Sequence, residues 1–290
     1  MAVAAALYSY TPTRISLLVL LGLGAGCPLR NALQAPDDLK KQIEFKDKIL
    51  AASKKIETDP AGFELWETPK GAFWIPKGSH YVLPFNLAEQ ERGIYWGANT
   101  AVKTGDVVLD CGANIGVFVR ASLDHGASKV VAIEPAPENL ECLRRNFRTE
   151  IEQGTVIVYP KGVWDKDDLL TLHVDPHNSA ADSFLIHRAG AHSDQKLPLT
   201  TIDKLVTELK LQRVDFIKMD IEGAEVKALN GGRETIRKFH PRMALSAYHA
   251  VDHPVEVPKA VRAAWNGYST ECGSCAEIRF GLRPDILFFY

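Results

Sequence analysis

No apolar run in this chain of 290 residues is read as reaching the ~20 residues that a membrane-spanning helix needs. The stretch Ile15–Ala25, which follows Arg14, is too short. It has the length of a secretory apolar region, with Gly24-Ala25-Gly26 ahead of Cys27. A lipoprotein-like signal usually carries Leu three residues before its cysteine, and Gly24 stands there instead. Charge of one sign is missing too: 34 Lys and Arg face 36 Asp and Glu, a net charge of -2. Without a basic stripe there is no nucleic-acid footprint. Cysteine is sparse, and Cys27, Cys111, Cys142, Cys272 and Cys275 are too scattered for a disulfide framework. Cys272 and Cys275 are a lone C-x-x-C pair, a weak signal for zinc or redox chemistry. There is no internal repeat and no low-complexity tract. What is left is enough chain for one large α/β domain with appendages.

One further absence is informative. A dinucleotide-binding turn needs three glycines, G-x-G-x-x-G. The turn in Val107–Glu134 (VVLDCGANIGVFVRASLDHGASKVVAIE) has two, Gly112 and Gly116, with Asp110 just before them. The stretch reads as strand, turn, helix, strand. Val107–Leu109 is a β-favouring run, Val117–Leu123 is helical, His125-Gly126 stops it, and Val130–Ile133 is the next strand. Such a βαβ unit builds a parallel sheet with a crevice at its strand ends. Glu134, about twenty residues beyond Gly112, is placed to accept two ribose hydroxyls. A helix start offers free N–H groups. An uncharged two-glycine turn fits a nucleoside with an amino-acid tail better than a pyrophosphate, which points to S-adenosylmethionine. A nicotinamide-dependent oxidoreductase is disfavoured by the missing third glycine.

In chain order, residues 1–34 form the signal- or anchor-like segment and residues 35–100 a lead-in. That lead-in comprises a helix at Asp37–Ile56, hairpins within Phe63–Leu83 and a helix at Leu87–Ala98. The main domain is 101–290. After Glu134 it continues with a helix at Pro137–Arg148, strands at Val156–Tyr159 and Leu169–Val174, and a loop at Asp175–Lys196. Next come a helix at Thr201–Leu211, a strand at Val214–Met219, a helix from Ala224 ended by Gly231-Gly232, a strand at Met243–Ala247 and a helix at Val257–Trp265. A late antiparallel hairpin, with arms near Tyr268–Glu271 and Ile286–Tyr290, closes the sheet.

VVLDCGANIGVF and VDFIKMDIEGAEVKALNGG together resemble the FkbM-type methyltransferases. The pattern K-x-D-x-E-G-x-E stands here as Lys218, Asp220, Glu222, Gly223 and Glu225. Glu91-x-x-x-Tyr95, Gly105–Asp110 and Pro198–Asp203 also fit, and the likeness covers roughly Phe63–Tyr290. The resemblance implies a Rossmann-like class I fold: seven strands, mostly parallel, one antiparallel at the C-terminal end, with helices on both faces. It implies an S-adenosylmethionine-dependent O-methyltransferase for sugars or other natural-product hydroxyls. Carried over, Asp110, Gly112, Asn114 and Gly116 hold the methionine end, Glu134 the ribose, and Lys161-Gly162-Val163 line adenine. Asp220 and Glu222 sit at the mouth of the sheet.

Methyl transfer mainly requires alignment, helped by a base. The candidates are Glu222, Asp220 and His249, the last on a neighbouring strand end and read as a neutral base. Lys218 shares a side with Asp220 on a strand and is expected to hold a carboxylate or the acceptor. Asp220, Glu222 and His249 are also suitable metal ligands. Their spacing does not demand one, and no metal is expected. S-adenosylmethionine is made in the cytosol, so a cytoplasmic or membrane-associated enzyme is expected, attached if at all through residues 15–27. That segment is expected to tether the chain and add nothing to the site. The alternative from another class is a non-catalytic, cofactor-binding or membrane-tethered scaffold.

Overall fold

The computed structural model describes residues 11–173, 178, 182–186, 195–278 and 281–290. Most of the loop expected at Asp175–Lys196 lies outside the described residues. Two helices come first, α1 (Thr11–Leu20) and α2 (Leu29–Ala51). α2 starts well before the expected Asp37 because its first turns bury Ala32 and Ala35, small residues that give no periodic signal. It stops before the expected Ile56, since Lys54–Thr58 is already a strand, β1. β1, β2 (Glu64–Thr68) and β3 (Gly71–Ile75) form a three-stranded antiparallel sheet. α3 spans Val82–Arg92 rather than the expected Leu87–Ala98, because Gly93 caps it in the left-handed region at φ 67°.

The main sheet begins with β4 (Val107–Cys111), α4 (Val117–Asp124) and β5 (Lys129–Ile133). α5 (Pro137–Asn146) has Pro137 and Glu138 in its first turn, as a helix start prefers. α6 (Arg148–Glu152), β6 (Val156–Tyr159), β7 (Gly162–Val163), β8 (Asp168–Thr171) and β9 (Lys196–Thr200) follow. Thr201 caps α7 (Ile202–Glu208) by accepting from Lys204 N at 3.0 Å. Then come β10 (Phe216–Met219), α8 (Glu225–Asn230), α9 (Arg233–Phe239), β11 (Arg242–Ser246) and α10 (His253–Ala264). Last are β12 (Thr270–Cys272), β13 (Cys275–Ile278), β14 (Gly281–Pro284) and β15 (Ile286–Phe289).

Seven strands form one sheet in the order β12-β15-β11-β10-β4-β5-β6. β11, β10, β4, β5 and β6 run parallel, and β15 is antiparallel to both its neighbours. This is the Rossmann-like arrangement expected, closing hairpin included. Alternate strand residues feed opposite faces. Leu109, Val131, Ile217 and Leu245 pack under α7, α8 and α10. Val108, Val130, Phe216 and Ala244 pack under α4 and α5. The strand order reverses between β4 and β10, which opens a crevice at their carboxyl ends.

Cys27 and Cys275 form a disulfide that the sequence reading, which found no disulfide framework, did not foresee. Their separation of 248 residues leaves no local signal. The bond sits in an apolar cluster of Ile15, Leu18, Ala32, Ala35 and Leu282, which docks α1 and α2 on the unexpected β13–β14 hairpin. Leu20 and Leu21 stay exposed. No helix among the described residues is long and apolar enough to cross a membrane.

Candidate active site

β4 delivers the two-glycine turn to the crevice. Gly112 has φ 81°, and a Cβ there would lie 1.9 Å from the Asp220 carbonyl oxygen. Its bareness therefore serves the approach of β10, not only the passage of a ligand. At Gly116 (φ 94°) a Cβ would lie 2.1 Å from the Phe147 ring, so this glycine serves helix packing. Asp110 is fully buried, with Lys218 Nζ 3.2 Å from its carboxylate. Burial pushes its pKa up to about 6 even though Lys218 opposes the shift. Lys218 also donates to the Gly112 carbonyl at 2.8 Å. These bonds pin the turn, and Lys218, expected to hold a carboxylate or the acceptor, lies against the carboxylate of Asp110. Asp110 and Gly116 do not reach the cleft lining.

The cleft lining does bring together Gly112, Asn114, Glu134, Gly162, Val163, Asp220 and Glu222. Glu134 directly follows β5 and is 5% exposed. Its two oxygens accept from Asn114 N and Ala136 N, each at 2.9 Å. Burial raises its pKa despite these bonds. Gly162 and Val163 enter through β7, which pairs with β9.

Across the cleft, β10 and β11 are parallel neighbours, as expected, and both end at the acids. His249 Nε2 lies 3.4 Å from Asp220 Oδ1 and 3.5 Å from Glu222 Oε1. Its Nδ1 lies 2.9 Å from Glu225 Oε1. Glu225 is completely buried, and the same oxygen accepts from Ile221 N at 3.1 Å. Burial pulls the His249 pKa down, but Glu225, Glu222 and Asp220 outweigh it and leave the imidazole well above its ordinary value. The histidine read from the sequence as a base thus sits among three acids at the shared end of β10 and β11. Burial works to raise the Asp220 pKa, yet His249 and Lys218 bring it below the carboxylate norm.

Several residues at this site gave little signal in the sequence. Tyr95 donates to Asp220 Oδ2 at 2.8 Å. Its place in the Glu91-x-x-x-Tyr95 pattern was the one clue. Glu89, on α3, is raised to about 8 by burial, with the Asp220 charge adding to the effect. Phe184 lines the cleft from the segment held by Ser183, whose hydroxyl donates to the Glu222 carbonyl at 2.7 Å. A second cavity of about 560 Å³ shares Asp220 with the cleft and is lined by Arg14, Gln42, Glu89, Arg92 and Tyr248. Arg14 belongs to α1 and Gln42 to α2, so both N-terminal helices line this second cavity.

A profile of the methyltransferase FkbM domain matches residues 110–269. The hexuronic acid methyltransferase AglP of Haloferax volcanii is 25% identical over 159 residues, covering 55% of this chain and 62% of that protein. The 31-O-demethyl-FK506 methyltransferase FkbM of Streptomyces tacrolimicus is 26% identical over 157 residues, covering 45% of this chain and 60% of that protein. The chain thus spans about three-fifths of the length of these two curated relatives. Among solved structures, methyltransferase FkbM from Methylobacillus flagellatus KT superposes with a TM-score of 0.49 at 17% identity, covering 89% of this chain and 60% of that one.

Proposed function

The chain belongs to the FkbM methyltransferase family, and from that premise we propose that it is an S-adenosylmethionine-dependent methyltransferase acting on a hydroxyl of a sugar or other natural-product-like small molecule. The observation that carries this reading is a single cleft lined by the glycine turn and Glu134 on one wall and by Asp220 and Glu222 on the other. The lining suits the cofactor. Asn114 and Glu134 are polar, whereas Ile133, Val163, Leu172 and Phe184 are apolar, a mixture that matches a nucleoside with an amino-acid tail. Bound there, S-adenosylmethionine supplies an electrophilic methyl group.

The chain's own part is binding, alignment and proton handling. Gly112, Asn114 and Glu134 would hold the cofactor, with Gly162, Val163 and Phe184 against its base. Asp220, ionised and fixed by Tyr95, and Glu222 beside it would orient an acceptor hydroxyl and take its proton. The second cavity, which shares Asp220, is the natural seat for the acceptor body. A small-molecule acceptor is supported by the names of the two relatives, one a hexuronic acid methyltransferase and the other a 31-O-demethyl-FK506 methyltransferase.

Calorimetry with S-adenosylmethionine, followed by transfer of its labelled methyl group to uronic acids, neutral sugars and macrolide alcohols, tests the reading. Stoichiometric binding with label on a hydroxyl is expected. Absence of binding overturns the reading, and label only on amines overturns the acceptor class.

A further inference from the structure

The His249 side chain is 2% exposed. Nδ1 faces the fully buried Glu225 carboxylate at 2.9 Å, so Nδ1 carries a hydrogen and donates it. Nε2 points the other way, at Asp220 Oδ1 and Glu222 Oε1. Nε2 and Asp220 Oδ1 are both buried without a hydrogen-bond partner. Carboxylate oxygens only accept, so a neutral imidazole would set lone pair against lone pair. Something positive belongs between them.

The distances favour an ion over a bridging proton. A charge-assisted N–H···O bond closes to about 2.7–2.9 Å, and the gaps here are 3.4 and 3.5 Å. Two ligand atoms each ~2.1 Å from one cation are ~3.0–3.4 Å apart at octahedral to tetrahedral angles. The surroundings are also those of a held ligand set. Glu225 fixes the imidazole through its far nitrogen, as carboxylates do behind metal-bound histidines. Tyr95 fixes Asp220 through its other oxygen. Glu222 keeps φ 53°, a left-handed conformation that costs a non-glycine residue ~1–2 kcal/mol. Such strain clusters where a side chain must be aimed.

We propose that Asp220, Glu222 and His249 form a divalent-cation site on the wall of the cleft, suited to a first-row ion such as Mn²⁺. The imidazole donor selects such ions over Mg²⁺, which prefers oxygen alone. Asp220 and Glu222 line the cleft, so the ion faces the acceptor and helps orient and acidify its hydroxyl. That role rests on the methyl-transfer reading; the binding of the ion does not. This departs from the sequence expectation of no metal. A second cluster, Cys27, Cys272 and Cys275, also converges, but two of its sulfurs are joined in the disulfide.

The test is titration of Mn²⁺ into the full chain without cofactor, read by the electron paramagnetic resonance signal of the free ion. One ion per chain is expected, with binding weakened at least tenfold in Glu222→Gln and in Asp220→Asn and unchanged in Cys272→Ser. His249→Gln should lose binding too. Because that residue is buried, the two acid variants carry the test, with circular dichroism confirming their fold. No stoichiometric binding, equal binding in both acid variants, or loss in Cys272→Ser overturns the site. S-adenosylmethionine affinity measured on the same samples separates the two claims: ion binding without cofactor binding sinks the methyl-transfer reading alone, and the reverse sinks the ion site alone.

Discussion

On the β4–β5 wall of the cleft, Glu134 commits both oxygens to backbone N–H groups, and Lys218 ties the turn from below. On the β10–β11 wall, Asp220 Oδ1, Glu225 Oε2, His249 Nε2 and His253 Nδ1 are all buried without hydrogen-bond partners. Buried polar groups left in that state cost free energy. The first wall is braced by these bonds, although Asp110 beneath it is also buried with only the Lys218 ion pair, whereas the second wall turns its unmade hydrogen bonds towards the cleft, where binding would relieve them. Substitutions on the first wall should damage the fold, and those on the second should damage function and leave the fold nearly intact.

The largest effect should come from Gly112→Val. The new Cβ meets the Asp220 carbonyl at 1.9 Å, between paired strands that cannot part cheaply. A loss of ~4 kcal/mol or more is expected, seen as a melting temperature lower by about 10 °C or as failure to fold. An unchanged melting temperature would show that the turn has slack. Glu134→Ala comes next, since it strands two backbone N–H groups. Urea unfolding should report a loss of about 2–4 kcal/mol. If stability holds and only cofactor affinity drops, Glu134 belongs with the functional wall.

A smaller effect should appear with pH. Glu89 ionises at about 8 when folded, against 4.5 for the ordinary group. Between those values the folded state binds the extra proton, so stability is full below pH ~4.5 and falls as pH rises towards ~8. The loss should be a few kcal/mol at most, at ~1.4 kcal/mol per pKa unit. Melting curves from pH 5 to 9 in chelator should slope downward for the parent and flatten for Glu89→Gln; parallel slopes would remove Glu89 as the cause. The smallest effect on stability should be that of Glu222→Gln, within ~1 kcal/mol of the parent in either direction, because it removes one charge from a crowded wall. Methyl transfer should nevertheless fall by ~100-fold. Transfer that falls only in step with the melting temperature would make Glu222 structural.

The sheet was readable because its strands carry their own signal. Val107–Leu109, Val130–Ile133 and Met243–Leu245 are apolar runs bounded by turns, and the closing hairpin followed from Ile286–Phe289. The lead-in was read less well. α2 hides its first turns behind two alanines, and the end of α3 is set by one glycine. At the site, the resemblance to the FkbM-type enzymes implied that Asp220 and Glu222 stand at the crevice, but a motif says nothing about who pairs with whom. Glu225 was visible in its motif, yet its hold on His249 spans 24 residues and two elements. The reason for Gly112 lies in a carbonyl that follows another strand, and the setting of His249 depends on three acids that converge only after folding.

The bond between Cys27 and Cys275 makes the intervening chain nearly a ring. Every strand of the main sheet except β15 lies within that ring. In the chain-entropy picture a loop of this length restricts the unfolded ensemble by roughly 5 kcal/mol. A single cut on an exposed segment inside the ring would leave two fragments still joined by covalent sulfur. Cleaved protein should therefore migrate as separate pieces only after reduction, and tolerance of backbone nicking becomes a property written into two cysteines 248 residues apart in the chain.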